Sequence, residues 1–278
     1  MSILDKFSSS NNLILFIRFL KKIPSLWNQE LAKSRHSKFN WAPNRIIVKG
    51  FNDYYEIYSP EPKSKYGSTL RTYNVFVHQA SASWMRNEVQ NFIRYAKKFN
   101  KFADIGSAEG FYSALFASIR KSNAEILSVD CGSTFGCNPM HSILLRNQNS
   151  DIFKPKRWDF SKSFVTSNSL KKPDFELPED CKITTLTQLF NEEDFHPELI
   201  KFDIESSEYE VLLNSLDYLF EKKPTLIIEV HNAMFKKRKL NFRFVLEKLF
   251  DLGYKIVDYD HKNYLKIWNS HIVLEFNK

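Results

Sequence analysis

The residues able to do chemistry fall into two groups. In the first, Asp104, Gly106, Ser107, Glu109, Gly110 and Phe111 lie close together, and Asp130 follows after a short interval. Glycines at 106 and 110 let a turn fold tightly and let a ligand approach the backbone, while the free N–H groups of a following helix favour electron-rich partners. An acid placed like Asp130 can take both hydroxyls of a ribose. The second group is Asp203, Glu205 and His231, carboxylates and an imidazole that could relieve an acceptor of its proton. Asp203, Glu205 and Glu229 also offer hard oxygen ligands for a cation such as Mg²⁺. Metal-free base catalysis is the preferred expectation, so no metal is assigned.

These residues need a strand, a turn and a helix to hold them. Phe102–Ile105 is a short apolar run, Gly106–Gly110 the turn, and Tyr112, Leu115, Phe116 and Ile119 recur at helical spacing. Ile126–Val129 reads as the next strand, ending at Asp130, so the two strands should be parallel neighbours. The Asp104-x-Gly106-x-x-x-Gly110 spacing lacks the third glycine of a pyrophosphate fingerprint. It suits S-adenosylmethionine better, with Asp104 or Glu109 available to its ammonium. In the same way Leu199–Asp203 is a buried strand feeding a helix with Tyr209, Leu212, Leu213 and Leu216 on one face, which Ser206 or Ser207 can cap. Leu226–Val230 is another strand, and it delivers His231. Asp203, Glu205 and His231 thus fall at the carboxyl ends of central strands, where such a sheet opens its cleft. Glu208, in a first helical turn, is explained by the helix dipole alone. Glu229, charged within a strand, needs a partner if buried.

The rest of the chain is less informative. The 278 residues suit one large α/β domain at 101–278 behind an N-terminal extension at 1–100, and the net charge of +8 reads as a lysine-rich solvated surface. The 25 phenylalanines and 12 tyrosines suit a well-filled core. Three cysteines, Cys131, Cys137 and Cys181, show no metal-like clustering, so a reducing cytoplasm is expected. No run approaches the roughly 20 apolar residues of a membrane span, and secretion is not expected. Leu13–Ile23 is a short apolar and basic helix suited to a membrane interface, to the core or to a homodimer contact. Strand-like runs at Ile46–Val48, Tyr54–Tyr58 and Tyr73–Val77 precede a helix marked by Met85, Val89, Phe92, Ile93 and Ala96. Its place suggests a lid or brace for the cofactor edge. Pro139–Asn147 is a candidate short helix, and from Asp151 to Glu179 only Phe164–Thr166 resembles a strand. Asp159, an acid available to an adenine amino group there, reads better as a loop carboxylate. Phe242, Val245, Leu246 and Leu249 mark a last helix, and Tyr254–Tyr259 and His271–Phe276 two closing strands, the final one antiparallel.

Three segments, ADIGSAEGFYS (Ala103 to Ser113), LIKFDIESSEYEVL (Leu199 to Leu212) and PTLIIEVH (Pro224 to His231), resemble the FkbM-type S-adenosylmethionine-dependent methyltransferases in order and spacing. The family's I-K-x-D-x-E-G-x-E pattern is met by Asp203, Glu205 and Glu208, with Ser206 in place of the glycine. Its Glu-Pro after the second strand becomes Asp130-Cys131. The resemblance implies a class I methyltransferase fold, a mostly parallel seven-stranded sheet with helices on both faces. It also implies methyl transfer to a hydroxyl oxygen on a sugar, glycan or related natural product. A dehydrogenase or nucleotide-sugar enzyme is disfavoured by the missing glycine. A non-catalytic binding or scaffold module that keeps the fold is the alternative. Methylation of nucleic acid is disfavoured, because Phe202-Asp203-Ile204-Glu205 replaces the Asn-Pro-Pro-Tyr-like strand end of amino-methylating enzymes.

Overall fold

The computed structural model describes residues 45–50, 53–58, 86–108, 110–132, 154–170, 177–267 and 269–277. Glu109, Cys137, Met85 and the elements expected at Leu13–Ile23, Tyr73–Val77 and Pro139–Asn147 lie outside them.

Strand β3 (Lys101–Ile105) is buried on both faces after its first residue, as a strand flanked by helices on either side must be. It leads through the glycine turn into α2 (Phe111–Arg120) and back to β4 (Glu125–Asp130), parallel to it in register from Lys101 opposite Glu125 to Ile105 opposite Val129. The chain then adds β5 (Arg157–Val165) and β6 (Lys182–Thr184) outward, and α3 (Leu186–Glu192) returns it to the other side of β3, where β7 (Leu199–Phe202) pairs. The capping box of Thr185 and Gln188 starts α3. Helices α4 (Glu208–Asn214) and α5 (Leu216–Lys222), split at Ser215, lead to β8 (Thr225–Val230). After α6 (Asn232–Lys237) and α7 (Phe242–Asp251) come β9 (Tyr254–Tyr259) and β10 (Ser270–Phe276), which inserts antiparallel between β8 and β9. The sheet order is β6-β5-β4-β3-β7-β8-β10-β9.

The sheet therefore has eight strands where seven were expected. The additional edge strand β6 is three residues long and buries only Thr184, too little for an apolar pattern to register. The third strand in sequence is also longer than the Phe164–Thr166 fragment. Its buried face carries Ser161 and Ser163, bonded to each other at 3.0 Å, before the aliphatic Val165. Asp159 lies within this strand and pairs with Arg157, so it is neither a loop carboxylate nor at the strand's carboxyl end.

One face of the sheet is covered by α2 and by α1 (Arg86–Ala96), whose Phe92 packs edge-on to Phe102 and Tyr112 at 5.2 and 4.8 Å. The two-stranded ribbon of β1 (Arg45–Lys49) and β2 (Tyr54–Tyr58) joins the same core through Val48 and Ile57. The other face is closed by α3 to α7, with Phe190, Leu212, Leu219, Phe235 and Leu246 in its core. The strand order reverses between β4 and β7 about β3. Ligands of open α/β sheets enter beyond the carboxyl ends at such a point.

Candidate active site

The turn after β3 is built on its neighbours. Gly106 N–H and Ser107 N–H both donate to the Val129 carbonyl, each at 2.9 Å, tying the turn to the end of β4. Gly106 has φ +84, and a Cβ there would lie 1.8 Å from the Asp203 carbonyl oxygen. The close approach that requires glycine is thus made by the chain itself, where the reading above assigned it to a ligand. The same contact sets the glycine turn directly against the loop after β7.

Asp130 closes the turn from the other side. One carboxylate oxygen accepts from Ala108 N–H at 2.9 Å and the other from Gly132 N–H at 2.7 Å. Asp104 is buried, and one of its oxygens accepts from the Ser113 N–H and hydroxyl at 3.1 and 2.6 Å. Its other oxygen and the Ser107 hydroxyl are buried without a hydrogen-bond partner. Burial pushes the Asp104 carboxyl up against the pull of Lys201. Gly110, at φ +83, is the N-cap of α2, and Phe111 is packed in the core edge-on to Tyr112.

Beyond β7 and β8 the second group converges. Asp203 and His231, 28 positions apart in the chain, stand 3.7 Å apart (Oδ1 to Nε2), and Glu205 Oε2 lies 3.7 Å from the same Nε2. All three expected residues therefore share one site. Glu205 and Ser206 take φ +53 and +77, the left-handed region that a glycine would occupy without strain. Ser206 is held there by Arg238, which donates to its carbonyl at 2.7 Å and its hydroxyl at 3.1 Å. Ser207 is the N-cap of α4 but makes no capping bond with its side chain, and Ser206 faces Arg238, so neither serine caps as expected. Glu208 fills the gap by accepting from Ile204 N–H at 2.7 Å.

Several site residues were given lesser parts, or none, by sequence. Lys201 is 1% exposed, pairs with Asp203 Oδ2 at 2.8 Å and sits over the Tyr112 ring at 4.5 Å. Its signal was a charge inside the run Leu199–Phe202. Glu208, read as a dipole effect, is fully buried with Oε1 3.2 Å from His231 Nδ1. Glu229 accepts from Asn269 at 3.0 Å and lies 3.4 Å from His271 Nε2, which also faces Glu88 at 3.2 Å; His271 Nδ1 is 3.2 Å from Asp260. Glu88 in turn accepts from the Tyr112 hydroxyl, so α1 braces this network.

Lys201, Glu208 and His231 are buried, so the charges on and around them act on one another with little screening. Burial and Glu229 push Asp203 up to about 7 in spite of Lys201. Burial opposes the Lys201 ammonium, but Asp203, Glu88 and Glu229 hold it above the ordinary lysine range. Burial likewise opposes a charged His231, yet Glu208, Glu229 and Asp203 raise it to about 9. A cavity of about 620 Å³ opens along α6, whose N-cap is His231, lined by Asn232, Phe235, Lys236, Phe242 and Lys266 among others. No helix among the described residues is long and apolar enough to cross a membrane.

Comparison with known proteins bears on the same residues. No curated protein matches the sequence. Similar solved structures include the methyltransferase FkbM from Methylobacillus flagellatus KT, 16% identical over 72% of this chain and 54% of that one, with a TM-score of 0.47. A putative SAM-dependent methyltransferase from Streptococcus mutans is 11% identical over 85% and 56%, at 0.44. The fibrillarin pre-rRNA processing protein of Methanococcus jannaschii is 13% identical over 86% and 85%, at 0.45. The chain spans little more than half the length of the first two, 54% and 56%. The family model of the methyltransferase FkbM domain matches residues 104–256, more than half of the chain, from Asp104 through both groups of site residues. The chain belongs to the FkbM methyltransferase domain family.

Proposed function

We propose that the protein transfers a methyl group from S-adenosylmethionine to a hydroxyl oxygen of a sugar, glycan or related natural product. The observation that supports this reading is the contact between Gly106 and the Asp203 carbonyl, which sets the glycine turn beside Asp203, Glu205 and His231. The residues of the turn fit the cofactor. The unpartnered Asp104 oxygen and Ser107 hydroxyl are ready to receive an ammonium and a carboxylate, both of which S-adenosylmethionine carries. Asp130, fixed at the end of β4 by the Ala108 and Gly132 N–H groups, is the acid we assign to the ribose hydroxyls. When bound, S-adenosylmethionine supplies a sulfonium methyl that an acceptor oxygen attacks in line, the electron pair of the C–S bond returning to sulfur.

The chain's part is alignment and removal of the hydroxyl proton. That proton passes to Asp203 or Glu205, with the His231 ring beside them, and Lys201 and Glu208 hold Asp203 and His231 in place. Phe235 and Phe242, with Lys236 and Lys266, make the adjoining cavity suited to a hydroxylated ring that carries negative charge.

Calorimetric titration with S-adenosylmethionine and S-adenosylhomocysteine, beside NADH, tests the reading on wild type and Asp130→Ala. Both sulfur compounds should bind wild type and bind the variant at least tenfold more weakly, and hydroxylated glycans then become the acceptors to screen. A folded protein that binds neither, or that binds NADH tightly, overturns it.

A further inference from the structure

The site holds more anionic groups than its own cations answer. Asp203, Glu205, Glu208 and Glu229 all face the His231 ring, and the cations set against these four are Lys201 at Asp203 and His271 at Glu229. Excess acid alone says little, but the ring's second nitrogen is informative. His231 is 2% exposed, and its Nε2 stands 3.6 Å from Glu229 and 3.7 Å from Asp203 and Glu205, beyond hydrogen-bond reach of each. No protein group satisfies that atom in either form of the ring. A proton on Nε2 has no acceptor close enough, and a lone pair faces three carboxylate oxygens.

The geometry points to a divalent-cation site formed by Asp203 Oδ1, Glu205 Oε2 and His231 Nε2, of a kind that takes Mn²⁺ or Mg²⁺. These three atoms lie within 4.8 Å of one another. Ligands held at about 2.1 Å by one ion stand about 3.0–3.5 Å apart, so a small inward rotation of each side chain closes the site. A cation there satisfies the nitrogen and offsets the acids together. Glu229 drops out of the set expected from sequence because Asn269 and His271 already occupy it, and His231 takes its place.

The surroundings are those of a metal site. A ligating histidine normally gives its other N–H to a carboxylate, which sets the tautomer and leaves the second nitrogen free for the ion. Glu208 is fully buried and anchored on Ile204 N–H with Oε1 3.2 Å from Nδ1, which makes no hydrogen bond as it stands, so a small turn of the ring lets Glu208 do this for His231. Lys201 likewise holds Asp203 Oδ2 and turns Oδ1 inward. Glu205 is carried to the ring by backbone in the left-handed region at φ +53. Non-glycine residues held this way cluster at ligand clamps.

The test uses the full chain, freed of metal by a chelator and titrated with MnCl₂ by calorimetry and electron paramagnetic resonance, with neither cofactor nor acceptor present. One Mn²⁺ should bind per chain, be displaced by excess Mg²⁺, and show nitrogen coupling from an imidazole. Glu205→Gln and His231→Ala should weaken binding at least tenfold, the latter abolishing the nitrogen coupling. Glu208→Gln should weaken it by about 10–100-fold as a positioning residue. Glu192→Gln, remote on α3, should leave it unchanged. The Glu205 side chain is 58% exposed, so its variant keeps the test valid if the buried ones fail to fold. Absence of stoichiometric binding, equal affinity in wild type and Glu205→Gln, or bound Mn²⁺ without nitrogen coupling overturns the proposal. Because no cofactor takes part, such a failure leaves the methyl-transfer reading standing, and failure of S-adenosylmethionine to bind leaves the metal result standing.

Discussion

Gly106→Ala probes the contact that joins the two halves of the site. At φ +84 an alanine carries a backbone cost of about 1–2 kcal/mol before any contact is considered. Its Cβ would then stand 1.8 Å from the Asp203 carbonyl oxygen and 2.7 Å from the carbonyl carbon, both backbone atoms that no rotamer change can move. The Asp203 loop must retreat, straining the bonds from Asp203 N–H to Ile105 and from Gly106 N–H to Val129, both 2.9 Å. Overpacking of this kind and weakened bonds bring the expected loss to about 3–5 kcal/mol, a large part of the 5–15 kcal/mol that holds a typical domain. Gly253→Ala is the internal control. It has φ +105 and so the same class of backbone cost, but its Cβ meets only the Phe276 ring edge at 3.2 Å, which can yield. Urea denaturation followed by tryptophan fluorescence should show a lower midpoint for both at unchanged m-value, with Gly106→Ala clearly the worse. If Gly106→Ala loses no more than Gly253→Ala, the direct abutment of the glycine turn and the Asp203 loop is refuted.

Two further outcomes are expected. Burial opposes a charged His271, but Glu88 on α1, Asp260 after β9 and Glu229 on β8 outweigh it and raise its pKa from 6.5 to about 10. A raised folded value means that the charged ring stabilises the fold fully below about pH 6.5. That stability is lost as pH rises toward 10, at up to about 1.4 kcal/mol per pH unit for one proton. Denaturation midpoints between pH 6 and 10.5 should fall less steeply in His271→Gln, and identical slopes would refute the assignment. At Ser206, φ +77, glycine relieves backbone strain but loses the 3.1 Å bond from Arg238 to the hydroxyl while keeping the 2.7 Å bond to the carbonyl. Ser206→Gly should therefore stay within about 1 kcal/mol of wild type, and Ser206→Val should lose more than about 2 kcal/mol. A large loss in the glycine variant would show that the hydroxyl, rather than the carbonyl, holds the loop.

Local chemistry made much of this protein legible without coordinates. Periodicity and glycine placement are properties of neighbours in the chain, so β3, the turn, α2 and β4 were readable, as were the strands that deliver Asp203 and His231. The insertion of β10 was readable because no helical pattern separates it from β9. Strands β5 and β6 were not, since Ser161, Ser163 and Thr184 are buried by a sheet edge that a one-dimensional pattern cannot see. Tertiary structure alone decided what those residues touch. That Gly106 is needed for Asp203, that Glu208 serves His231, and that Lys201 and His271 are cations inside an acidic network all depend on segments brought together by strand order. The type of each residue is written in the sequence; the burial that turns a carboxylate, a lysine or a histidine into part of a site comes from neighbours distant in the chain, and only folding supplies them.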